Sequence, residues 1–266
     1  MKYKLIAVDM DGTLLNDESV LTDRTKAAVA GAVKAGAIFV AASGRPLMGV
    51  EFINDLFEED MPFIIFNGAA AVMGKSRKVL FNEYLDTSLA GEVFELGLER
   101  EVPQILWTAD GLYASRKCEA TEEYQEIYDD MEIKIIGGIA GIGGEKVCKL
   151  IWIDKADRVG AYQESMRGHF GERLNCHASR PTFLEFVSPR ADKGAAMLEI
   201  GRLYGIGRSG IIAVGDGYND VSMLRRAGLS VAMANAPEDI RAMCDYVALS
   251  NNEDGVAAVI DKFILG

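Results

Sequence analysis

The sequence predicts an α/β protein in which a doubly wound parallel sheet is interrupted by an inserted α+β domain. In the first and last thirds of the chain, short continuous apolar runs alternate with segments whose apolar residues recur at helical spacing. This alternation is typical of parallel strands covered by helices on both faces. In the middle third the runs are shorter, more polar and more aromatic, which indicates a sheet of another kind. The length of 266 residues also suits about two domains.

The first third is predicted to contain buried strands at residues 5–8, 38–41 and 63–66. Helices are predicted between them, over residues 22–35 and 46–57, from the spacing of their apolar residues. The last third repeats the alternation. Its predicted elements are a helix at 195–204, a strand at 211–214, a helix at 221–227, strands at 229–233 and 246–249, and a helix at 256–265.

The inserted domain is predicted to span residues 83–185, so that residues 1–82 and 186–266 form one Rossmann-like core. Within the insertion, the apolar segments 105–107 and 112–114 flank the tripeptide Ala109-Asp110-Gly111, whose composition favours a turn. We therefore expect a β-hairpin at this place.

The charge and the cysteines exclude several classes of protein. Acidic residues outnumber basic ones by 40 to 28, a net charge of −12 that does not attract nucleic acid or anionic membranes. The four cysteines lie far apart, which favours reduced thiols in a cytoplasm. No run reaches the roughly 18 apolar residues of a membrane span. We therefore expect a cytoplasmic protein that binds neither nucleic acid nor membranes.

Two carboxylates follow the first predicted strand, in the segment Asp9-Met10-Asp11-Gly12-Thr13. A buried carboxylate without a counter-ion is costly, and a bound cation such as Mg²⁺ removes that cost. Taken alone, the pair is equally compatible with exposed carboxylates in a turn. Gly12 is expected to let the chain turn sharply, so that the two carboxylates face different directions.

Three further segments follow predicted strands or begin predicted helices. Ser43-Gly44-Arg45 offers a hydroxyl and a backbone N–H to phosphate oxygens, although Ser43 could simply cap a helix. Lys193 lies in the first turn of a helix, where a cation opposes the helix dipole and a contact with an anion would explain it. The segment Gly215-Asp216-Gly217-Tyr218-Asn219-Asp220 adds two carboxylates and an amide, and Asn219 or Asp220 can also cap the next helix.

Together these segments predict a site for phosphoryl transfer. The carboxyl ends of parallel strands meet at one edge of a doubly wound sheet, where ligands bind. Acids, a lysine and a Ser-Gly pair at that edge fit a reaction with an aspartate nucleophile, Mg²⁺ and a lysine clamp. A phosphate beside several carboxylates is repelled, so Mg²⁺ and Lys193 are needed to offset the charge.

The sequence resembles the haloacid dehalogenase-like phosphatases, and within them the Cof-type group, which carries a large α/β cap inserted after the third core strand. The resemblance covers both halves of the core, with Ser43 where threonine is more usual. Its matching segments are Asp9-Met10-Asp11-Gly12-Thr13-Leu14-Leu15, Ser43-Gly44-Arg45, Asn67-Gly68-Ala69, Lys193-Gly194, Gly215-Asp216-Gly217-Tyr218-Asn219-Asp220 and Ser250-Asn251-Asn252-Glu253-Asp254-Gly255-Val256.

The resemblance implies a role for each matching residue. Asp9 attacks phosphorus, and Asp11 protonates the leaving alcohol and then activates water. Mg²⁺ is held by the Asp9 and Asp216 carboxylates and the Asp11 backbone carbonyl, with Asp220 orienting its water. The phosphoryl oxygens are held by Ser43, the Gly44 N–H, Lys193 and Asn219.

The inserted domain is expected to set specificity, because the core would meet only the phosphate. Arg45 and Asn67, at core strand ends, are candidates for contacting the rest of the substrate. Arg180 and Glu185, near the return to the core, are further candidates, although surface salt bridges are the favoured interpretation for these two.

The predicted function is Mg²⁺-dependent hydrolysis of a small phosphorylated metabolite, a sugar phosphate or a phosphorylated cofactor or precursor, by a monomer or small homo-oligomer. One alternative is a phosphotransferase or phosphomutase with the same aspartate nucleophile and an alcohol acceptor. Another is a sensor that binds a phosphorylated ligand without turnover. The sensor is disfavoured because Asp9 and Asp11 are both present.

Overall fold

A computed structural model describes residues 2–109, 111–127 and 131–266. The chain divides into two compact units. The core unit comprises Met1–Asn82 and Asp192–Gly266, and the inserted unit comprises Glu83–Ala191. In the described residues, no helix combines the length and the apolar character that crossing a membrane requires.

The helices and strands of both units follow in chain order. The first segment of the core unit contains β1 (Leu5–Asp9), α1 (Asp23–Lys34), β2 (Ile38–Ala42), α2 (Glu51–Asn54), β3 (Pro62–Ile65), β4 (Ala70–Met73) and β5 (Val79–Asn82). The inserted unit contains α3 (Thr87–Glu99), β6 (Gln104–Thr108), β7 (Leu112–Ala114), α4 (Glu119–Glu126), β8 (Ile133–Ile135), β9 (Val147–Ile153), α5 (Ala156–Phe170), β10 (Asn175–Arg180) and β11 (Phe183–Val187). The second core segment contains α6 (Lys193–Leu203), β12 (Ile211–Gly215), α7 (Val221–Arg226), β13 (Leu229–Ala232), α8 (Glu238–Met243), β14 (Tyr246–Val247) and α9 (Gly255–Ile260).

The core sheet has the strand order β14-β13-β12-β1-β2-β3-β4-β5. The six strands from β14 to β3 pair in parallel, and β1 lies between β2 and β12, with Leu5 beside both Ile38 and Ile211. The predicted doubly wound parallel sheet is therefore confirmed. The chain reverses its direction across the sheet at β1, so the loops after β1 and β12 are neighbours at the edge where ligands bind.

The apolar runs of these strands are buried against helices, as their composition requires. Leu5 and Ala7 of β1 pack in one cluster with residues of α6 and α7, such as Met197 and Met223. Leu5, Ile6, Ala7 and Val8 are all fully buried, so side chains on both faces of β1 are covered. A strand covered on both faces is apolar throughout, which explains why periodicity of two is absent from this run.

Two features of the core unit differ from the prediction. The antiparallel hairpin of β4 and β5, which extends the sheet beyond β3, was not predicted. The helix predicted over 46–57 is only the four-residue α2. Gly49 lies in the part of that segment that forms turns, and its carbonyl accepts a hydrogen bond from the Arg45 side chain at 3.4 Å, which favours a turn over a helix.

The inserted unit is built on a sheet with the order β10-β11-β9-β6-β7-β8, antiparallel except between β7 and β8. Phe94 of α3 and Phe170 of α5 pack with Trp152 and Phe186 of the sheet in the core of this unit. The predicted α+β character and the hairpin of β6 and β7 are confirmed. Asp110 of the predicted turn lies outside the described residues.

The predicted return to the core at residue 186 is too early. Strand β11 continues to Val187 and pairs with β9 and β10, so its last residues belong to the inserted unit. The core unit resumes only at Asp192, which caps α6.

Candidate active site

Three buried ionisable side chains form the centre of the candidate site. Asp9 ends β1, Lys193 begins α6 and Asp220 precedes α7. The Lys193 Nζ donates hydrogen bonds to Asp9 Oδ1 at 2.5 Å and to Asp220 Oδ1 at 2.7 Å. The side chains of Lys193 and Asp220 are fully buried, and that of Asp9 is 7% exposed. One ammonium group therefore faces two carboxylates from separate segments.

The start of α6 is held close to its neighbours, and this places Lys193. The Asp192 side chain accepts a hydrogen bond from the Ala195 N–H at 2.8 Å and so caps the helix. A Cβ on Gly68 would lie 2.3 Å from the Asp192 carbonyl carbon, and one on Gly194 would lie 2.4 Å from the Ser222 oxygen. Only glycine permits both approaches. The anion expected beside Lys193 from its unfavourable helix position is, in this structure, a pair of carboxylates.

The buried charges shift the ionisation of these groups. Burial and the charge of Asp220 raise the pKa of Asp9 well above its ordinary value, although Lys193 opposes the shift. Burial would lower the pKa of Lys193, but the two carboxylates raise it above its ordinary value. Lys193 therefore keeps its positive charge at neutral pH, and the site has more negative charge than one ammonium group can balance.

The loop after β12 brings a third carboxylate, Asp216, to the same place. Its Oδ1 accepts a hydrogen bond from the Thr13 hydroxyl at 2.9 Å. Asp220 Oδ2 accepts from the backbone N–H groups of Asp216 and Gly217, at 3.1 and 3.0 Å. Because Asp220 Oδ1 accepts a hydrogen bond from Lys193, the two oxygens of Asp220 hold both the lysine and the loop. Burial raises the pKa of Asp216, although the bond from Thr13 opposes the shift.

Gly12 forms the sharp turn that the sequence predicts. Its φ is +79°, and a Cβ there would lie 2.5 Å from Asp216 Oδ2. Glycine at this position therefore lets the loop after β1 approach the Asp216 carboxylate closely. The two aspartates at the end of β1 and just after it have different surroundings. The Asp11 side chain is 53% exposed, whereas that of Asp9 is 7% exposed.

The chemistry of the three carboxylates fits a hard divalent cation. Asp9, Asp216 and Asp220 each offer an oxygen, and these atoms lie within 4.8 Å of one another. Hard cations such as Mg²⁺ bind carboxylate oxygens, and this cluster sets three carboxylates against the one ammonium group of Lys193. The residues present therefore fit the predicted metal site.

Arg45 forms a two-pronged ion pair with Asp11. Its Nε donates to Asp11 Oδ2 at 3.0 Å, and its Nη2 contacts Asp11 Oδ1. A bidentate pair fixes the orientation of the carboxylate as well as its position. The guanidinium that the sequence suggested for the substrate is thus engaged with the second motif aspartate.

The remaining predicted phosphate-binding residues lie around the end of β2. The buried Ser43 hydroxyl accepts a hydrogen bond from the Arg45 N–H at 3.0 Å and keeps its own proton to donate. Asn67 has a left-handed φ of 55° and donates its N–H to the Ser43 carbonyl at 2.9 Å. The Asn219 amide donates to Asn67 Oδ1 at 3.3 Å, and a Cβ on Gly44 would lie 3.0 Å from the same amide group of Asn67. The helix-cap interpretation of Ser43 is wrong, because the next helix begins only at Glu51.

The two candidates from the inserted unit differ in their surroundings. Glu185 is buried, and its Oε1 accepts hydrogen bonds from Lys149 Nζ at 3.1 Å and from the Ser179 hydroxyl at 2.8 Å. The interpretation of Glu185 as part of a surface salt bridge is therefore wrong, since the ion pair is buried. Arg180 is exposed, and its guanidinium lies 5.3 Å from the centre of the Phe183 ring.

Two polar residues near the carboxylates were not predicted. Thr13 orients Asp216 through its hydroxyl. Asn235, which lies three residues beyond β13, donates its amide N–H to the Gly12 carbonyl at 2.8 Å. An asparagine shortly after a predicted parallel strand is the same kind of signal that singled out the loops after β1 and β12.

A doubly wound sheet with an aspartate, a lysine and further acids at its carboxyl edge has the arrangement of a phosphoryl-transfer enzyme. The sequence profile of the haloacid dehalogenase-like hydrolases matches residues 6–260, and the chain belongs to this family. The resemblance stated from the motifs is thereby confirmed.

Relatives match over nearly the whole length of the chain. YxeH of Bacillus subtilis is 31% identical over 267 residues, which are 99% of each chain. The 5-amino-6-(5-phospho-D-ribitylamino)uracil phosphatase YwtE of the same organism is 29% identical, again over 99% of each chain. The crystal structure of a haloacid dehalogenase-like hydrolase from Bacteroides thetaiotaomicron superimposes with a TM-score of 0.88 at 27% identity, over 98% of this chain and 99% of that one. The chain is a phosphatase of this family.

Proposed function

We propose that this phosphatase hydrolyses small phosphomonoesters in a Mg²⁺-dependent reaction in which the Asp9 carboxylate attacks phosphorus. The observation that carries the proposal is the buried cluster in which Lys193 bridges Asp9 and Asp220 beside Asp216. A carboxylate fixed next to an ammonium group that stays charged is placed to meet a phosphate dianion. Asp9 is held in position by Lys193 through one oxygen, so its other oxygen is the one that attacks.

Two carboxylates carry out the proposed reaction, Asp9 as the nucleophile and Asp11 as the acid and base. The bond from Asp9 to phosphorus forms as the ester P–O bond breaks, and Asp11 gives a proton to the leaving alcohol. Water then attacks the aspartyl-phosphate, passes its proton to Asp11 and releases inorganic phosphate, which restores Asp9. The Arg45 fork fixes the orientation of the Asp11 carboxylate.

The phosphoryl oxygens are proposed to bind the Ser43 hydroxyl, the Gly44 N–H, Lys193 and the Asn219 amide. In support, the Asn219 amide donates to Asn67, whose backbone N–H donates to the Ser43 carbonyl, and Lys193 at the start of α6 donates to Asp9. The cation would be held by Asp9, Asp216 and the Asp11 carbonyl, with Asp220 orienting its water. When bound, Mg²⁺ supplies positive charge that offsets the repulsion between the phosphate and the carboxylates.

One relative supports the choice of substrate class. YwtE is named for a substrate whose phosphate lies on a ribityl chain, which is a small polyol. We propose phosphate esters of sugars or other small polyols, including phosphorylated cofactor precursors, as substrates of this chain. Arg45, Asn67, Arg180 and Glu185 are proposed to contact the part of the substrate beyond its phosphate.

The proposal is tested with an aryl phosphate and a panel of phosphorylated sugars and polyols, including 5-amino-6-(5-phospho-D-ribitylamino)uracil. We expect inorganic phosphate to be released, EDTA to abolish the activity and Mg²⁺ to restore it, with kcat/KM highest for one polyol phosphate. Activity that persists in EDTA would reject the metal-dependent reaction. Transfer of phosphate to an added alcohol in preference to water would identify a phosphotransferase instead.

The response to Mg²⁺ is expected to strengthen as the pH rises. A proton on Asp9 or Asp216 competes with a cation, and the pKa values of both are raised above their ordinary values, chiefly by burial. In the metal-free protein, protonation of these groups favours folding, and this contribution is lost as the pH rises from about 4 through the raised pKa values. The increase in Tm caused by Mg²⁺ should therefore grow as the pH rises above about 4, the ordinary pKa of aspartate. Asp216→Asn should show a smaller dependence, and an increase in Tm that shrinks with rising pH would contradict the expectation.

A further inference from the structure

Asn235 connects the two loops that carry the proposed cation ligands. Its Nδ2 donates a hydrogen bond to the Gly12 carbonyl at 2.8 Å and lies 3.5 Å from Asp216 Oδ2. Gly12 belongs to the loop after β1, and Asp216 to the loop after β12. One amide group therefore contacts both loops from a third segment, the one that follows β13.

A hydrogen bond to the oxygen of this amide fixes its orientation. Asn235 Oδ1 accepts a hydrogen bond from the Asn251 backbone N–H at 3.2 Å, so its NH₂ group must face Gly12 and Asp216. Asn251 is itself buried, and its side chain donates to the Leu15 carbonyl at 3.1 Å and to Asp17 Oδ1 at 2.9 Å. Two asparagines thus join the loop after β1 at both of its ends, near Gly12 and near Asp17.

The contacts of Asp216 show what this amide contributes. Thr13 donates to Oδ1 of the carboxylate, and the Asn235 Nδ2 lies 3.5 Å from Oδ2. A carboxylate held from both sides by neutral donors keeps its direction without gaining another nearby charge. A neutral amide suits this position, because a further carboxylate would add to the negative charge of Asp9, Asp216 and Asp220.

We propose that Asn235 is a positioning residue for the cation site: it holds the Gly12 turn and the Asp216 carboxylate in the arrangement that binds Mg²⁺. The inference rests on the proposed function, in which Asp216 is a ligand of the metal. Asn235 acts through Asp216 and Gly12, so its loss weakens metal binding and leaves the reacting groups Asp9 and Asp11 in place.

The test is the Tm of Asn235→Ala as a function of Mg²⁺ alone, without substrate. We expect the Mg²⁺ concentration for half of the full Tm increase to rise about threefold to tenfold, the range for losing one hydrogen bond. In assays with an aryl phosphate, the Mg²⁺ concentration for half-maximal activity should rise equally, with kcat at saturating Mg²⁺ within about twofold. The control is Asn252→Ala, since the Asn252 amide is exposed and donates to Asp17.

The outcomes separate this inference from the function on which it rests. An unchanged half-saturating Mg²⁺ concentration in Asn235→Ala would overturn the positioning role, even if the variant were less stable without the metal. An equal rise in Asn252→Ala would overturn it too, because the effect would then follow from any loosening of these loops. If the unaltered protein shows no Tm increase with Mg²⁺, the proposed metal site fails, and the inference fails with it.

Discussion

Asp9→Asn is expected to lower kcat by at least about a thousandfold while the protein stays folded. Asparagine has nearly the shape of aspartate, but its amide cannot attack phosphorus. Burial, and then the charge of Asp220, raises the pKa of Asp9 well above its ordinary value, so keeping Asp9 ionised in this site costs free energy. Removing that charge relieves the repulsion, and Lys193 keeps Asp220 as a partner. We therefore expect the Tm of the variant to be no lower than that of the unaltered protein.

The measurement combines steady-state hydrolysis of an aryl phosphate with thermal denaturation of the same preparations. Asp23→Asn is the matched control, because the Asp23 side chain is fully exposed in the first turn of α1. Its activity should match that of the unaltered protein. If Asp9→Asn retained a tenth or more of the activity, at unchanged Tm, Asp9 would not be the nucleophile.

Lys149→Met and Glu185→Gln are each expected to lower the free energy of unfolding by about 3–5 kcal/mol, the cost of breaking a buried ion pair from one side. Both side chains are only 7% exposed. Burial raises the pKa of Glu185, but the charges of Lys149 and His177 outweigh it and hold the pKa below its ordinary value. The carboxylate therefore stabilises the fold at neutral pH, and this contribution is lost as the pH falls through the lowered pKa.

A double variant shows whether the loss of stability comes from leaving one charge of the pair buried alone. Lys149→Met with Glu185→Leu should recover most of the loss, because replacing both charges leaves neither one buried alone. The control is Lys117→Ala, which removes an exposed ion pair with Glu122 and should change the free energy of unfolding by less than about 1 kcal/mol. Denaturant unfolding of Lys149→Met, Glu185→Leu and the double variant gives the coupling energy. Losses that simply add in the double variant would show that the two charges do not stabilise each other.

These variants also test the second role assigned to Glu185. If this carboxylate contacts the substrate, Glu185→Gln should lower kcat/KM for a polyol phosphate more than for an aryl phosphate, beyond what the loss of stability explains. Equal losses for both substrates would leave Glu185 with its structural role alone.

Much of the fold could be predicted because burial on both faces leaves a direct trace in the sequence. The runs that became β1 (up to Val8), β2, β3 and β12 are apolar throughout, that of β13 is apolar apart from Ser230, and each is followed by a polar or glycine-rich segment. The hairpin of β4 and β5 left no such trace. Its strands are four residues long and lie at the edge of the sheet, where β5 is half-exposed. The short α2 was overestimated because helical spacing over 46–57 does not show the competing bond from Arg45 to Gly49.

Part of the candidate site could also be predicted from the sequence. Position after a parallel strand singled out Asp9, Ser43 and Asp216, because topology alone brings such ends together. The contact of Arg45 with Asp11 and that of Asn235 with Gly12 could not be foreseen, since each depends on side-chain hydrogen bonds between residues that are distant in the sequence. The partner of Glu185 was missed for the opposite reason: Lys149 lies in a strand so apolar that a charge there looks incidental.

The pairing of β1 with both β2 and β12 has a consequence for synthesis on the ribosome. Asp9 and Lys193 are 184 residues apart, and Ile211 pairs with Leu5. A nascent chain that has emerged only as far as β5 exposes one edge of what will become a central strand, with its backbone groups open to other chains. Chaperone protection of the growing polypeptide should therefore matter most before β12 is translated, and fragments that stop short of it should aggregate and be catalytically inert.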